Sequence, residues 1–225
     1  MQRYLIVNAD DLGTSPGVNR GIVEAHQRGI VTSASLMVDR AAAADGVERA
    51  AAAPGLSVGL HFEGDDVDLS DAGVARGELE RQLERFHMLV GRGPTHIDSH
   101  HHVHRAEPAI EAFREVADGL GVPLREASPV AFVGGFYAQW EWEVTELHYV
   151  SVEFLEQILR TEVTNEWTEL GCHPGYIDPA FDSVYRMERE AEIETLTDPR
   201  VPAILADCDI ALRSYADYGS ARPSG

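Results

Sequence analysis

Lysine is missing from this chain. All 18 basic residues are arginine, set against 38 aspartates and glutamates, for a formal net charge of -20. A chain this acidic has no basic face with which to displace counterions from a phosphate backbone, which excludes nucleic acid as a partner. Self-repulsion on this scale weakens a compact state at low ionic strength, whereas concentrated salt screens it to within a few ångströms. The composition therefore predicts a halophilic, high-salt cytoplasm; a GC-rich genome would explain arginine over lysine but explains the acid excess less well. Cysteine is scarce too. Cys172 and Cys208 are too few for a disulfide framework and wrongly spaced for a thiolate metal site, so reduced thiols are expected. Apolar runs long enough to cross a bilayer are also lacking, and residues 1–7 lead into a strand-like pattern instead of a secretory leader. A cytoplasmic location without a membrane partner is the expectation. At 225 residues, 44% hydrophobic and without a break in composition, the chain reads as one catalytic-sized domain over residues 1–218 with a frayed tail at 219–225.

Histidine, by contrast, is concentrated. Residues 95–104, Thr-His-Ile-Asp-Ser-His-His-His-Val-His, hold five of the ten histidines in the chain. A solvated surface or an apolar core has no use for that density, and an expression tag would sit at a terminus and lack the apolar Ile97 and Val103. Read as an extended strand, the stretch alternates faces: His96, Asp98, His100, His102 and His104 form one row of potential ligands, and His101 points the other way.

The surrounding pattern repeats strand, helix, strand. Residues 4–9 form an apolar strand that ends on Asp10-Asp11. Ser15-Pro16 caps a helix running to Gly29, residues 30–38 form a second strand, 40–53 an alanine-rich helix, and 56–62 a third strand with His61 near its end. Residues 63–76 are acidic and turn-rich and read as a functional loop. Helices are expected at 77–90, 108–119, 151–165 and 185–196, and further strands at 122–126, 167–173 and 210–215. Phe136, Tyr137, Trp140 and Trp142 fall in an aromatic loop suited either to stacking on a sugar or to packing against the barrel. This alternation in one core predicts an α/β fold, a distorted (β/α) barrel of parallel strands alternating with helices, with chemistry at the C-terminal strand ends. Asp10-Asp11, His61, the histidine row and His173 all fall there.

Two imidazoles and a carboxylate holding a divalent metal, with positions left open, is an arrangement for metal-assisted hydrolysis. In the Asp10-Asp11 pair, one carboxylate on the metal leaves the other free as a base, provided the backbone turns there; Gly13 permits a turn. His173, at a strand end before Pro174, is placed for a general acid. Asp10-Asp11 as a plain turn or cap, and His61 as a hydrogen-bonded core histidine, are the structural alternatives. His26, His87 and His148 lack partners and are read as structural.

Asn8-Ala9-Asp10-Asp11-Leu12-Gly13, Ser15-Pro16-Gly17-Val18-Asn19, Gly29-Ile30-Val31-Thr32-Ser33, Gly59-Leu60-His61, the row from His96 to His104 and His173-Pro174-Gly175-Tyr176 together resemble the YdjC-like (ChbG/HpnK) family of carbohydrate deacetylases, in the family's order and over nearly the whole chain. The resemblance implies a distorted barrel that hydrolyses an N-acetyl group from an amino sugar, typically a chitin-type oligosaccharide. It implies one divalent metal on Asp11, His61 and His100, with Asp10 as base and His173 as acid. His96, Asp98, His102 and His104 are then expected to orient ligands or line the pocket. Two departures stand out: Leu12 replaces the usual Phe, and the chain is short in residues 63–76, which should wall the pocket. Nitrogen-rich donors suit Zn²⁺ better than Mg²⁺, although Mg²⁺ is the ion such families are often assigned. The expected partner is a small N-acetylated sugar, with a homodimer the default for a cytosolic enzyme of this size. A phosphoester hydrolase and a non-catalytic metal-binding protein are the alternatives; the first lacks a lysine or a phosphate-cradling glycine loop, and the second has no need of a base and an acid.

Overall fold

Leu5, Ile6 and Val7 are completely buried, as an apolar strand must be when it has neighbours on both flanks. They lie in β1 (Arg3–Leu12), the centre of the structure. The computed structural model describes residues 2–179, 181 and 183–221. Within them, β2 (Ser33–Leu36), β3 (Ser57–Phe62), β4 (Ile97–Ser99), β5 (Ala131–Val133), β6 (Trp167–Cys172) and β7 (Ile210–Leu212) join β1 in a parallel sheet of order β4-β3-β2-β1-β6-β5. One flank of β1 is taken by β6. The other is shared, β7 pairing with its first residues and β2 with its last. Helices α1 (Pro16–Arg28), α2 (Ala43–Ala51), α3 (Ala72–Val90), α4 (Ala109–Leu120), α5 (Val152–Thr161), α6 (Met187–Leu196), α7 (Val201–Asp207) and α8 (Tyr215–Ala221) complete the elements. The expected distorted (β/α) barrel is the observed fold. No helix among the described residues is long and apolar enough to cross a membrane, and both cysteines are free and buried.

Local chemistry accounts for the element ends. Ser15 accepts a hydrogen bond from the Val18 N–H and Pro16 opens α1. Asp71 accepts from the N–H groups of Gly73 and Val74 to start α3, which Gly91 closes at φ 76°. The functional loop is therefore shorter than residues 63–76, because Asp71 starts the helix inside it.

Side-chain alternation on β1 separates two environments. Leu5, Val7 and Ala9 face outward into the large apolar cluster beneath the helices, whereas Ile6 packs inward with Val130, Tyr215 and Tyr218 in a small plug. Above that plug the barrel interior is polar. Asn8, Asp10, Ser35, His61, His96, Asp98, Arg125 and Glu169 are all buried there, where barrels of this kind ordinarily carry layers of branched aliphatic residues.

Several expectations fail for identifiable reasons. Residues 96–104 are not one strand. β4 has three residues, its last, Ser99, pairing with Phe62 at the end of β3; beyond that point no neighbour holds the backbone extended, and the chain turns into a 3-10 segment (His100–Arg105) with His101 and His102 both at φ 53°. The row from His96 to His104 therefore does not share one face. Residues 122–126 contribute one bridge, Ile97 to Leu124, instead of a strand, and β5, unanticipated, flanks β6. Between Leu124 and β5 the ladder is interrupted, and Arg125 spans the gap with its side chain. The last strand stops at Leu212. α7 was not anticipated, and α8 takes in residues 219–221 of the expected frayed tail; residues 222–225 lie outside the described residues.

Candidate active site

The backbone turn required to separate two adjacent carboxylates occurs at Asp11 itself. Its φ is 70°, a left-handed conformation that Asp tolerates better than most residues, and the β1–β2 register shifts between Ala9 and Leu12. Thr14 fixes the turn by donating from N–H (3.1 Å) and Oγ1 (2.7 Å) to the Asp11 carbonyl. Asp10 consequently faces the interior and Asp11 the cavity wall.

Asp10 is gripped by Arg125, whose Nη1 and Nη2 donate to Oδ2 and Oδ1 at 2.7 and 2.8 Å, and by Asn8 Nδ2 at 2.8 Å. Burial alone would raise its pKa, but the Arg125 guanidinium holds it well below the usual carboxylate range. Arg125 also reaches Asp98 Oδ2 at 2.8 Å and Glu169 Oε1 at 2.6 Å, so one cation serves three carboxylates. Glu169 in turn accepts from the Tyr215 hydroxyl at 2.5 Å. Asp11 is held from a different side, by Arg189 Nη2 on Oδ2 at 2.6 Å. Burial opposes its ionisation, but Arg189 together with His173, His61 and His100 outweighs burial and keeps the pKa low.

His61 lies between these groups. Its Nδ1 is 2.7 Å from Asp98 Oδ1, and its Nε2 faces Asp11 Oδ1 at 3.5 Å. Burial would lower its pKa, yet the carboxylates of Asp98, Asp10 and Asp11 push it up to about 9. A carboxylate on Nδ1 is the usual way to orient a histidine whose other nitrogen binds a metal. His100, just past β4, has its ring centroid 5.8 Å from that of His61, and burial lowers its pKa to about 4. Two buried atoms here have no hydrogen-bond partner, Asp11 Oδ1 and His100 Nδ1, which is what unfilled ligand positions look like.

His173 follows β6. Its Nε2 is 4.0 Å from Asp10 Oδ2 and its Nδ1, which has no hydrogen-bond partner, is 4.0 Å from Glu192 Oε1. Burial lowers the His173 pKa to about 4 and raises that of Glu192 to about 8. Glu192 is tied down by the His173 backbone N–H and by the Tyr185 hydroxyl at 2.6 Å.

Asp10, Asp11, His61, His100 and His173 all line a cavity of about 720 Å³, together with Tyr137, Trp140, Trp142 and Tyr185. The rest of the histidine row divides. Asp98 is the orienting partner of His61. His96 is buried below, stacked at 3.9 Å on Tyr215, in space that exists because residue 59 is glycine: a Cβ there would lie 2.4 Å from the His96 ring. His104 does not reach the cavity; it accepts from Ser99 Oγ (2.6 Å) and donates to the Arg125 carbonyl (3.1 Å), and so holds the turn. His102 lines the cavity, with Nδ1 on Glu126 at 2.7 Å.

Among the described residues, two donor sets come within 4.8 Å of one another, Asp10, His61 and Asp98, and, at the rim, Asp65, His100 and His101; Asp11, His61 and His100 are not drawn together that closely. In the first, Arg125 already occupies both carboxylates, so a metal there would have to displace a buried guanidinium.

The sequence model of the family described as "YdjC-like protein" matches residues 4–68 and 68–207. The chain belongs to the YdjC-like family. Among YdjC-like relatives, a chitooligosaccharide deacetylase of Serratia marcescens is 33% identical over 96% of this chain and 100% of its own length. A carbohydrate deacetylase of Geobacillus stearothermophilus is 35% identical over 97% and 99%. Among solved structures, a putative cellobiose-phosphate cleavage protein from Enterococcus faecalis V583 superposes with TM-score 0.80 at 25% identity, covering 97% of this chain and 99% of that one. A family 4 carbohydrate esterase from Streptomyces lividans in complex with acetate shares the fold, with TM-score 0.58 at 15% identity. The two matched segments meet at residue 68, within the loop between β3 and α3.

Arg125, Glu169, Arg189 and Glu192 were not singled out from the sequence. The available signal was a charge inside an otherwise apolar element: Glu169 within β6, and Arg125 next to Leu124.

Proposed function

We propose that this protein is a metal-dependent hydrolase that removes the N-acetyl group from an amino sugar or a chitin-type oligosaccharide. The observation that carries the reading is the pair of unpartnered buried atoms, Asp11 Oδ1 and His100 Nδ1, beside His61 Nε2, at the base of a cavity that also holds Asp10 and His173. Asp11 Oδ1 and His61 Nε2 lie 3.5 Å apart, close enough that both could serve one ion. Asp11, His61 and His100 would hold the ion, and two nitrogens with one oxygen favour Zn²⁺ over Mg²⁺. When bound, a divalent cation there supplies Lewis acidity, polarising an amide carbonyl and making a water easier to deprotonate.

The chain's own groups do the proton work. Asp10 Oδ1 already accepts from Arg125 and Asn8, whereas Oδ2 accepts from Arg125, lies 4.0 Å from His173 Nε2 and has capacity for a further hydrogen bond. It is the base that takes the water's proton. His173 gives a proton to the leaving nitrogen; burial lowers its own pKa to about 4 and raises that of Glu192, 4.0 Å from Nδ1, to about 8, so the proton rests on Glu192 and reaches the leaving nitrogen through the imidazole. Arg125 and Arg189 keep the two aspartates ionised and apart. The names of the relatives from Serratia and Geobacillus support the same chemistry.

A phosphoester substrate fits less well. The two arginines lining the cavity, Arg40 and Arg189, are paired with Glu63 and Asp11, which leaves neither for a phosphate. The test is acetate release from a panel of N-acetylated sugars at high salt with Zn²⁺ or Mg²⁺ added. Metal binding without acetate from any sugar would favour a non-catalytic binding protein.

A further inference from the structure

Exposed tryptophan is costly to solubility and needs a reason, and this chain exposes two of its three. Trp140 is 57% and Trp142 78% exposed, and both line the mouth of the candidate active site. Packing of their loop does not account for them. Phe136 and Ala138 are completely buried and make those contacts. The loop is fastened by polar groups as well: the Ala138 N–H donates to Tyr185 Oη at 3.1 Å, Gln139 Nε2 to Glu188 Oε1 at 2.7 Å, and the Glu146 N–H to the Ala138 carbonyl at 2.8 Å. A single bridge, Glu141 to Val144, turns the tip. The base is thus fixed while the indoles project.

Trp140 also continues a series of rings that starts at the reacting centre. His173 meets Tyr137 at 5.5 Å, and Tyr137 meets Trp140 at 5.9 Å, both edge to face; Tyr137 is stacked on Tyr185 at 4.7 Å. Trp142 lines the same cavity and is the more exposed of the two indoles. A pyranose presents an apolar C–H face and a polar rim, the complement of an indole set among carboxylates and hydroxyls. The cavity of 720 Å³ equals about 24 waters at ~30 Å³ each, whereas one N-acetylated hexose has about fifteen non-hydrogen atoms, bonded closer together than separate waters. One sugar leaves part of it empty.

We propose that Trp140 and Trp142 form a subsite for the sugar unit adjoining the one that is deacetylated, so that the site is built for an oligosaccharide. This rests on the deacetylase reading above. A neutral sugar suits the place: it meets no repulsion from a chain of net charge -20.

Because the remaining tryptophan, Trp167, packs on Tyr4 and Tyr218 away from the cavity, intrinsic fluorescence reports on the subsite directly. The experiment titrates an N-acetylated chitin trisaccharide, and separately N-acetylglucosamine, into Asp10→Asn protein and into the same protein carrying Trp140→Ala and Trp142→Ala. In parallel, kcat/KM is measured for both sugars in otherwise native protein with and without Trp142→Ala. The expected result is a saturable fluorescence change with the trisaccharide that the double substitution abolishes. The preference for trisaccharide over monosaccharide should fall by about 3- to 10-fold in Trp142→Ala. Acetate release with an unchanged preference and silent tryptophans overturns the subsite and leaves the deacetylase reading intact. Saturable fluorescence with no acetate from any sugar leaves the subsite standing and overturns the deacetylase. A third result, in which the substitutions only convert a dimer to monomers, assigns the indoles to a second copy of the chain and also overturns the proposal.

Discussion

Replacing Arg125 with Met removes the cation shared by Asp10, Asp98 and Glu169 while keeping most of the side-chain volume. The three carboxylates lie 2.6–2.8 Å from the guanidinium, and the arginine side chain has no exposed surface. At an effective dielectric constant of ~20, each contact represents roughly 6 kcal/mol of Coulomb attraction. Desolvation offsets most of that in the intact protein, but removing one partner strands the others, so the expected loss of stability is about 3–5 kcal/mol. For a chain of this size that lowers the melting temperature by roughly 6–20 °C. The pH dependence is the sharper signature. In the native protein the depressed pKa values of Asp10 and Asp98 contribute stability above the ordinary carboxylate range that is lost as pH falls through the folded values. Without Arg125, burial raises both, so the folded variant takes up protons that the unfolded chain does not, and it gains stability as pH falls. The gap between the two proteins should therefore be widest near neutrality and narrow toward pH 4. Thermal unfolding followed by circular dichroism at fixed high salt measures it. A variant that melts within about 2 °C of the native protein, or a gap that does not change with pH, would refute the role given to Arg125.

Three further outcomes are expected. Asp10→Asn should retain bound metal while losing about 10²- to 10⁴-fold in kcat, and Asp11→Ala should lose the metal; elemental analysis of both proteins decides, and metal loss in Asp10→Asn would mean that the two aspartates have exchanged roles. His173 near 4 and Glu192 near 8 together hold one proton between those limits, so activity should fall above about pH 8, when the pair loses its proton. Glu192→Gln should alter that limb of the pH–rate profile and, because the buried carboxyl costs stability as pH rises from the unfolded value toward 8, should gain in melting temperature relative to the native protein over the same range. Finally, the charge of -20 predicts a melting temperature that climbs with KCl; a flat response would remove the halophile reading.

The parts legible in sequence were those where a local pattern and the structure coincide. The apolar run of β1 followed by two aspartates, and the strand ending in His61, announce both an element and the chemistry at its end, since in parallel α/β folds the two go together. The histidine row was half legible. Its alternation correctly put His96 and Asp98 on one side, but nothing in His100-His101-His102 announces two consecutive left-handed residues; that turn follows from β3 running out of partner at Phe62. Arg125, Glu169, Arg189 and Glu192 were illegible for a different reason. Their meaning lies in partners set apart along the chain: Arg125 pairs across 115 residues with Asp10, Arg189 across 178 with Asp11, and Glu192 across 19 with His173. Sequence spacing carries no trace of such pairs, which exist only once the barrel has wrapped.

The central place of β1 has a consequence for how the protein fails. Its backbone is bonded along both flanks, to β6 on one side and to β7 and β2 on the other, so its amide hydrogens should exchange with solvent only when the whole molecule opens. Asp10 and Asp11 belong to that strand, whereas Trp140 and Trp142 ride on the tip of a loop, beyond its fastened base, closed by the one bridge from Glu141 to Val144. Warming should therefore loosen the grip on a long sugar before it disturbs the aspartates, and the capacity to deacetylate a short substrate should persist until global unfolding removes it.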